Sequence, residues 1–129
     1  CNSIGNILQH GVILEKATLT FNGIGHIIKG AKGADAQQES RVLMLSDQAR
    51  SDANPILLID ENDVTAGHAA SIGQVDPEDM YYLMSRGLDQ ATAERLVVRG
   101  FLGSVIVEIP VKEVREEMIQ TIEDKLLKR

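Results

Sequence analysis

The sequence contains very few aromatic rings and no tryptophan. Only four residues carry a benzene ring: Phe21, Tyr81, Tyr82 and Phe101. A compact single-layer core usually relies on large rings for its buried area, whereas a core of stacked aliphatic side chains does not need them. Hydrophobic residues still make up 43% of the chain. The shortage of rings therefore favours a core that is built from stacked aliphatic side chains.

Cysteine and positive charge are scarce as well. The single cysteine, Cys1, cannot form an internal disulfide, which excludes a disulfide-stabilised secreted scaffold. The 13 Lys and Arg residues are outnumbered by 19 Asp and Glu residues, so the formal net charge is -6. A nucleic acid or an anionic membrane requires clustered positive charge on its partner. The composition therefore argues against both of these partners.

Long apolar runs are also missing. The longest aliphatic runs, such as residues 56–59, are four residues long, whereas a membrane-spanning helix needs about 20. The first residues lack the basic and apolar regions of a signal peptide. We therefore expect a soluble, cytoplasmic domain. Because the chain begins with Cys1 rather than Met, we also expect it to be part of a longer protein.

Residues 4–72 consist of short strand-forming runs separated by turn residues. Polar and apolar residues alternate over 18–21, as in a half-buried strand, whereas 41–45 and 56–59 are nearly continuous apolar runs. Runs of about five residues without intervening amphipathic helices are typical of a β-sandwich, a barrel or a β-solenoid. The scarcity of rings favours the solenoid. We expect the polar stretch 33–40 to loop out of the stack.

The pattern changes to helical periods after Gly73. Asp76 has the properties of a helix N-cap, Pro77 suits the first turn, and Gly87 suits the end of the helix. A second helix is expected to begin at Asp89 and to end near residue 99. The glycines at positions 100 and 103 then predict a break or a bend.

Residues 111–128 show the strongest helical pattern, with an aliphatic stripe opposite an acidic face. The β-branched stretch 105–109 resembles a strand in composition, but we interpret it as helix because it lies between helices. The sequence thus predicts a mainly β module over 1–75, followed by a helical subdomain over 76–129.

The glycine-rich segment 23–30 does not satisfy the requirements of a phosphate-binding loop. A P-loop needs the pattern GxxxxGK[ST], and a dinucleotide fingerprint needs a helix directly after it. The acidic residues at 60–63 and 76–79 are explained by turn formation and helix capping. The residues alone therefore give no indication of an enzyme.

The three histidines are candidates for a binding site: His10, His26 and His68. No two of them have the i+3 to i+5 spacing of a local metal site. His68 is distinctive because the neighbouring residues of 66–70 are too small to bury it. Imidazole binds metals and transfers protons near neutral pH. This context is compatible with a functional histidine and with an ordinary hydrogen-bonded surface histidine.

A short segment at 80–87 concentrates aromatic, methionine and arginine side chains. It holds half of the chain's aromatic residues and half of its methionines. Tyr, Met and Arg are enriched at protein interfaces, but the same residues could serve as core. Its members are Tyr81, Tyr82, Leu83, Met84, Ser85, Arg86 and Gly87, preceded by Met80.

Several short motifs lie between residues 55 and 101: PILLI at 55–59, HAASIG at 68–73, IGQVD at 72–76, YYLMSRGL at 81–88 and RGF at 99–101. Together these motifs resemble the SufB/SufD family of iron–sulfur cluster assembly scaffold proteins. The resemblance covers essentially the whole chain and is specific over about 55–101. SufB-like members usually carry an acidic residue after the matching histidine, where this chain has Ala69, so it is more similar to the SufD-like branch.

The resemblance implies a right-handed parallel β-helix that is capped by C-terminal helices. It also implies a non-catalytic scaffold subunit that pairs with a SufB-like paralogue through the β-helix. A SufC-like ABC ATPase would dock on the C-terminal helices, where segment 81–87 lies. His68 matches the family histidine that is implied to be a ligand of a transient iron–sulfur cluster shared with the SufB-like partner. Some members carry a cysteine two residues earlier, where this chain has Ala66.

A chain with one cysteine is not expected to hold an iron–sulfur cluster alone, so the ligands must come in part from a partner. Truncation of a solenoid exposes unpaired strand edges, and we therefore expect self-association through the N-terminal coils. The alternative function is a β-solenoid module that binds or acts on carbohydrate. Such a module usually displays aromatic platforms, and the predicted strands offer only Phe21.

Overall fold

The structure is a computed structural model that describes residues 2–127, in which strands precede helices. The strands are β1 (Ile4–Ile13), β2 (Thr18–Ile27), β3 (Ala34–Met44), β4 (Arg50–Ile59) and β5 (Val64–Gln74). The helices are α1 (Pro77–Ser85), α2 (Gln90–Ile106) and α3 (Lys112–Leu127). The predicted order of a β part followed by an α part is therefore confirmed.

Successive strands alternate between two sheets. One sheet has the order β1-β3-β5, and the other contains β2 and β4. In the first sheet Ile4 pairs in parallel with Asp35 and Ile13 pairs with Met44, so the register is continuous along both strands. The pairing of β2 with β4 is parallel and equally continuous. Parallel neighbours of this kind need the connecting strand to lie in another layer, which explains the alternation.

The two sheets face each other around a small buried core. A Cβ atom added at Gly23 of β2 would overlap the side-chain amide of Gln38 on β3, so these two strands approach closely. Side chains alternate along β3, which buries Gln38, Ser40 and Val42 and leaves Gln37 exposed. The buried aliphatic residues of the strands are Ile13, Ile27, Ala34, Val42 and Leu43.

The predicted right-handed parallel β-helix is wrong. The described strands form two small parallel sheets, and no closed or coiled β-helix is present among residues 2–127. The strands are ten or eleven residues long, about twice the length expected from the apolar runs. Two packed sheets of long strands satisfy the same scarcity of rings and the same spacing of turns. These patterns therefore do not distinguish the two architectures, and the β-helix is what the family resemblance implied.

The expected loop at 33–40 is also wrong, because β3 begins at Ala34 and runs through this polar stretch. The stretch GADAQQES contains alanine at 34 and 36, then Gln38 and Ser40, at every second position. These four residues share one face of the strand, and three of them are buried. A strand with a polar inner face does not show the apolar alternation by which strands are normally recognised.

Helix α1 begins and ends where the sequence predicts. The Oδ1 atom of Asp76 accepts a hydrogen bond of 2.8 Å from the backbone N–H of Glu78, and Pro77 occupies the first helical position. After the helix, Gly87 adopts φ = 93°. This left-handed conformation is available to glycine without the steric strain that a Cβ atom causes.

Helix α2 begins as predicted but is longer than expected. Asp89 is its N-cap and accepts a bond of 2.7 Å from the N–H of Thr92. The helix then continues through Gly100 and Gly103 to Ile106, so the predicted break is wrong. Glycine costs about 1 kcal/mol in a helix interior, which a helix of this length tolerates. Residues 107–109, which we interpreted as helix, lie beyond its end.

The chain divides into two compact units at residues 1–73 and 74–129. In the second unit, Ala93, Val98 and Ile106 of α2 are buried. Helix α3 forms within the predicted range and ends at Leu127 within the described residues, but none of its residues is buried. An ion pair of 3.5 Å links Arg99 of α2 to Glu123 of α3. None of the helices in residues 2–127 combines the length and apolar character that a bilayer crossing requires.

Candidate functional site

His68 lies on β5, in the middle of a run of small residues. Its neighbours in the strand are the small residues Ala66, Gly67 and Ala69, and the imidazole is exposed. It makes no hydrogen bond or ion pair with the residues that the structure describes. Strand β5 is the outer strand of its sheet. An exposed imidazole at a sheet edge can bind a metal ion or a partner from solution.

The backbone next to His68 lies close to a side chain of the neighbouring strand β3. A Cβ atom added at Gly67 would lie 2.6 Å from Oε1 of Gln37. The side chain of Gln37 is held in turn by a hydrogen bond of 2.7 Å from its Nε2 atom to Oδ1 of Asp35. The glycine thus allows the side chain of Gln37 to lie against β5 at position 67. Position 67 and Gln37 therefore share one face of the sheet.

Segment 81–87 forms most of α1 and its C-terminal end. Tyr81 is 77% exposed, Tyr82 is 57% exposed and Met84 is 44% exposed, and α1 has no buried residue. These values contradict the interpretation of the segment as ordinary core within the described part of the chain. Exposed tyrosine and methionine side chains are the residue types that interfaces use.

The end of α1 is stabilised by local contacts that order its polar and aromatic side chains. The Oγ atom of Ser85 donates a hydrogen bond of 2.7 Å to the carbonyl oxygen of Tyr82. The guanidinium of Arg86 stacks over the Tyr82 ring at 5.1 Å from its centroid, a cation–π contact. Tyr82 and Arg86 therefore present one ordered aromatic and cationic surface.

The structure reveals a histidine–aspartate pair that the sequence analysis missed. Nε2 of His26 on β2 lies 2.8 Å from Oδ2 of Asp60, just after β4. The same loop is connected to the turn after β2, because Oε2 of Glu61 accepts a bond of 3.0 Å from the N–H of Gly30. The parallel register, which sequence spacing does not reveal, brings these residues together. These contacts connect the turn after β2 to the turn after β4.

The buried glutamine Gln38 is a second polar residue that the sequence analysis missed. It is 3% exposed, and neither Oε1 nor Nε2 has a hydrogen-bond partner among the described residues. Ser40, two residues further along β3, is 2% exposed and donates a bond of 2.8 Å to Oε1 of Gln9. The inner face of this sheet is therefore polar at its centre. The alternation of residues over 34–42 is the only signal in the sequence that could have identified it.

No group of three or more His, Cys, Asp or Glu side chains that could hold a metal ion occurs within residues 2–127. Cys1 lies outside the described residues. His68 belongs to the first unit, and segment 81–87 belongs to the second. Both features are exposed and consist of residue types that bind other molecules. They indicate a protein whose general class is that of binding proteins.

Comparison with known proteins identifies the family to which the chain belongs. The profile of the family described as "SUF system FeS cluster assembly, SufBD core domain" matches residues 1–101. The chain therefore belongs to the SufBD core family of iron–sulfur cluster assembly proteins. The resemblance stated from the motifs is confirmed, because this match covers most of the chain and includes His68.

Curated relatives agree with the family assignment. The chain is 60% identical over 124 residues to the iron–sulfur cluster assembly protein SufD of Bacillus subtilis (strain 168), a match that covers 96% of this chain and 28% of the relative. It is 42% identical over 97 residues to an iron–sulfur cluster assembly SufBD family protein of Mycobacterium leprae (strain TN), which covers 74% of this chain and 25% of the relative.

These matches confirm the SufD-like character of the sequence. They also mean that the chain spans about a quarter of the length of these curated relatives. The names of the relatives describe iron–sulfur cluster assembly, and the carbohydrate-related alternative finds no support in them.

Proposed function

We propose that this chain is part of a non-catalytic, SufD-like scaffold subunit for iron–sulfur cluster assembly. The observation that carries the proposal is its 60% identity, over almost its entire length, to a protein that is named for this activity. The strand part, residues 1–75, pairs with a SufB-like paralogue, and the helical part, residues 76–129, docks a SufC-like ABC ATPase.

Within this scaffold His68 supplies one ligand to a transient iron–sulfur cluster that is shared with the SufB-like partner. The exposure of the imidazole on an edge strand supports this role, because a shared ligand must be reachable from a second chain. In this role the cluster is the cargo of assembly.

The ligand role is tested by a His68→Ala variant that is co-purified with the SufB-like and SufC-like partners. We expect the complex to form normally, since the side chain is exposed and makes no bond that holds the strand. The amount of cluster formed on reconstitution, followed by its visible absorbance, should fall about ten-fold or more, by analogy with the loss of supporting groups at metal sites.

The matched control is His26→Ala, which removes another exposed histidine from the opposite sheet. It should leave the amount of cluster unchanged. An undiminished cluster in His68→Ala would contradict the ligand role, and an equal loss in both variants would mean that neither effect reflects ligation.

The ATPase docking surface is segment 81–87, with Tyr81, Tyr82 and Met84 as its exposed anchors. Aromatic residues at the centre of an interface commonly contribute about 2 kcal/mol or more each. Replacing Tyr81 and Tyr82 by serine should therefore weaken binding of the SufC-like ATPase at least about 30-fold. The helical content should stay unchanged because α1 has no buried residue.

The control for docking is Val107→Ser, since Val107 is 67% exposed in the same unit but outside the segment. Its binding to the ATPase, measured by titration calorimetry, should match that of the unchanged chain. Equal binding by the double tyrosine variant would place the docking surface elsewhere on the helices.

Self-association of the chain is proposed to use β1. This strand is an edge of its sheet, and Ile4, Ile7 and Leu8 are 77%, 37% and 42% exposed. An exposed apolar edge strand is a template for pairing with a second chain. A Leu8→Lys variant should shift the sedimentation profile from dimer to monomer, whereas a single monomeric species in the unchanged chain at all concentrations would contradict the proposal.

A further inference from the structure

The buried carboxamide of Gln38 has no explanation within the fold. Its side chain is 3% exposed, yet both polar atoms lack a hydrogen-bond partner among the described residues. Burial of a polar group without a partner lowers the free energy of unfolding. The nearest polar pair on the same face does not relieve it, because Oγ of Ser40 already donates to Oε1 of Gln9 at 2.8 Å.

The geometry of the two neighbouring strands places His68 beside Gln38. Position 67 of β5 meets the side chain of Gln37 on β3, so these positions share one face of the sheet. Successive side chains of a strand point to opposite faces. The next residue of each strand, His68 and Gln38, therefore lies on the other face, which at Gln38 is the inner face that approaches Gly23. Adjacent strands lie about 4.8 Å apart, within reach of a glutamine side chain.

We propose that Gln38 is a positioning residue for His68. Its Oε1 atom accepts a hydrogen bond from one ring N–H of the imidazole when His68 turns toward the space between the sheets. This bond determines which ring nitrogen carries the proton and leaves the other nitrogen free to bind iron. Metal-binding histidines generally have such an outer partner, which sets the tautomer and the ring orientation. The bond itself is independent of the proposed function, and only its consequence for the cluster rests on that proposal.

The pairing is tested in the chain alone by nitrogen-15 NMR of the imidazole rings. The variant Gln38→Met removes both polar atoms and nearly preserves the shape of the side chain. We expect His68 to show one dominant tautomer in the unchanged chain and a mixture of tautomers in Gln38→Met. The signals of His10 and His26 should not move. Ring nitrogen shifts of His68 that are unchanged in Gln38→Met would overturn the proposal.

The adjacent glutamine provides the matched control. Gln37 lies one position away on the outer face, and Gln37→Met should leave the tautomer of His68 as it is. A Gln38→Glu variant retains an acceptor oxygen and should restore the dominant tautomer, which a purely structural role of Gln38 would not predict. Gln38→Met should melt at the same temperature or higher, because two unpaired polar atoms are removed. Should it fail to fold, Gln38→Leu serves as the second variant for the same measurement.

A cluster measurement separates this proposal from the ligand role of His68. In the reconstituted complex, Gln38→Met should lower the amount of cluster about 10–100-fold, as expected for the loss of an outer partner of a metal ligand. If the tautomer changes but neither Gln38→Met nor His68→Ala affects the cluster, the pairing stands and the ligand role fails. If His68→Ala abolishes the cluster but the ring nitrogen shifts of His68 are unchanged in Gln38→Met, the ligand role stands and the pairing fails.

Discussion

The strand unit and the helical unit build their buried cores from different numbers of elements. In the strand unit, long parallel ladders enclose a core between two sheets, with aliphatic residues such as Ile13, Ile27 and Val42 almost fully buried. Among the described residues of the helical unit, only Ala93, Val98 and Ile106 are buried, and all three belong to α2.

The helical unit therefore leaves a large share of its apolar side chains in contact with solvent. The exposed ones are Tyr81, Tyr82, Met84, Leu96, Val107, Val111, Val114, Met118 and Leu127. Contiguous apolar patches on a soluble protein usually mark sites of interaction. The strand unit exposes large apolar residues as well, including Ile4, Ile24 and Ile28, so the two units differ in their cores rather than in their surfaces. The strand core draws on both sheets and contains unpaired polar atoms at Gln38, whereas the helical core within the described residues comes from one helix.

The largest effect is expected from enlarging the strand core. Ile27 is 5% exposed between the sheets, and its replacement by alanine removes buried methyl groups and leaves a cavity. Such a change costs about 2–5 kcal/mol. The equivalent change in the helical unit, Val98→Ala, removes fewer atoms and should cost about 2 kcal/mol. Urea unfolding measures the loss in free energy of unfolding for both variants, and hydrogen exchange assigns each loss to its unit. A greater cost for Val98→Ala would break the comparison, since the helical interior would then be the better packed.

Substitutions at two glycines test whether side chains between the sheets are less mobile than those on the outer face. An added Cβ atom at Gly23 or at Gly67 would meet the end of a glutamine side chain, Gln38 or Gln37 respectively. Gln38 is buried and cannot rotate freely, so Gly23→Ala should lower the free energy of unfolding by about 1–3 kcal/mol. Gln37 is exposed and can move aside, so Gly67→Ala should change it by less than about 0.5 kcal/mol.

The glycine prediction has its own internal check. Combining Gly23→Ala with Gln38→Ala removes the obstructing side chain, so the cost of the alanine should largely disappear in this double-mutant cycle. Equal costs for Gly23→Ala with and without Gln38 would mean that the backbone, rather than the glutamine, limits the approach of the two sheets.

Sequence patterns predicted the helical unit better than the strand unit, for a physical reason. Helix ends are determined by local chemistry, so the caps at Asp76 and Asp89 and the stop at Gly87 are all where expected. The arrangement of the strands depends on which distant strand each one pairs with. Parallel pairing joins residues about thirty positions apart, and no local pattern encodes it. The strand pattern therefore does not distinguish two packed sheets from a β-helix. The predicted break at Gly100 and Gly103 is wrong for a different reason, because α2 is long enough to tolerate both glycines.

The candidate site was predictable only in part for the same reason. His68 and segment 81–87 are recognisable from their own neighbours in the sequence, and both are exposed in the structure. Gln38 and the pair of His26 with Asp60 depend on register between strands, so they emerge only from the structure.

The smallest expected effect concerns acid sensitivity at the start of α2, where the helical unit depends on a charge. Hydrogen bonds from the backbone N–H of Thr92, and then from its side chain, lower the pKa of Asp89 below its ordinary value. A carboxyl whose folded-state pKa is lowered stabilises the fold above its unfolded pKa, and this contribution is lost as the pH falls through the folded pKa.

Asparagine is an equally good N-cap but does not titrate in this range. Asp89→Asn should therefore leave the helical content at neutral pH nearly unchanged and reduce the small loss of α2 stability in acid. Urea unfolding followed by circular dichroism, from neutral pH to below the ordinary pKa of aspartate, measures this loss in both chains. An acid slope that is the same in both chains would show that the charge of Asp89 does not stabilise α2.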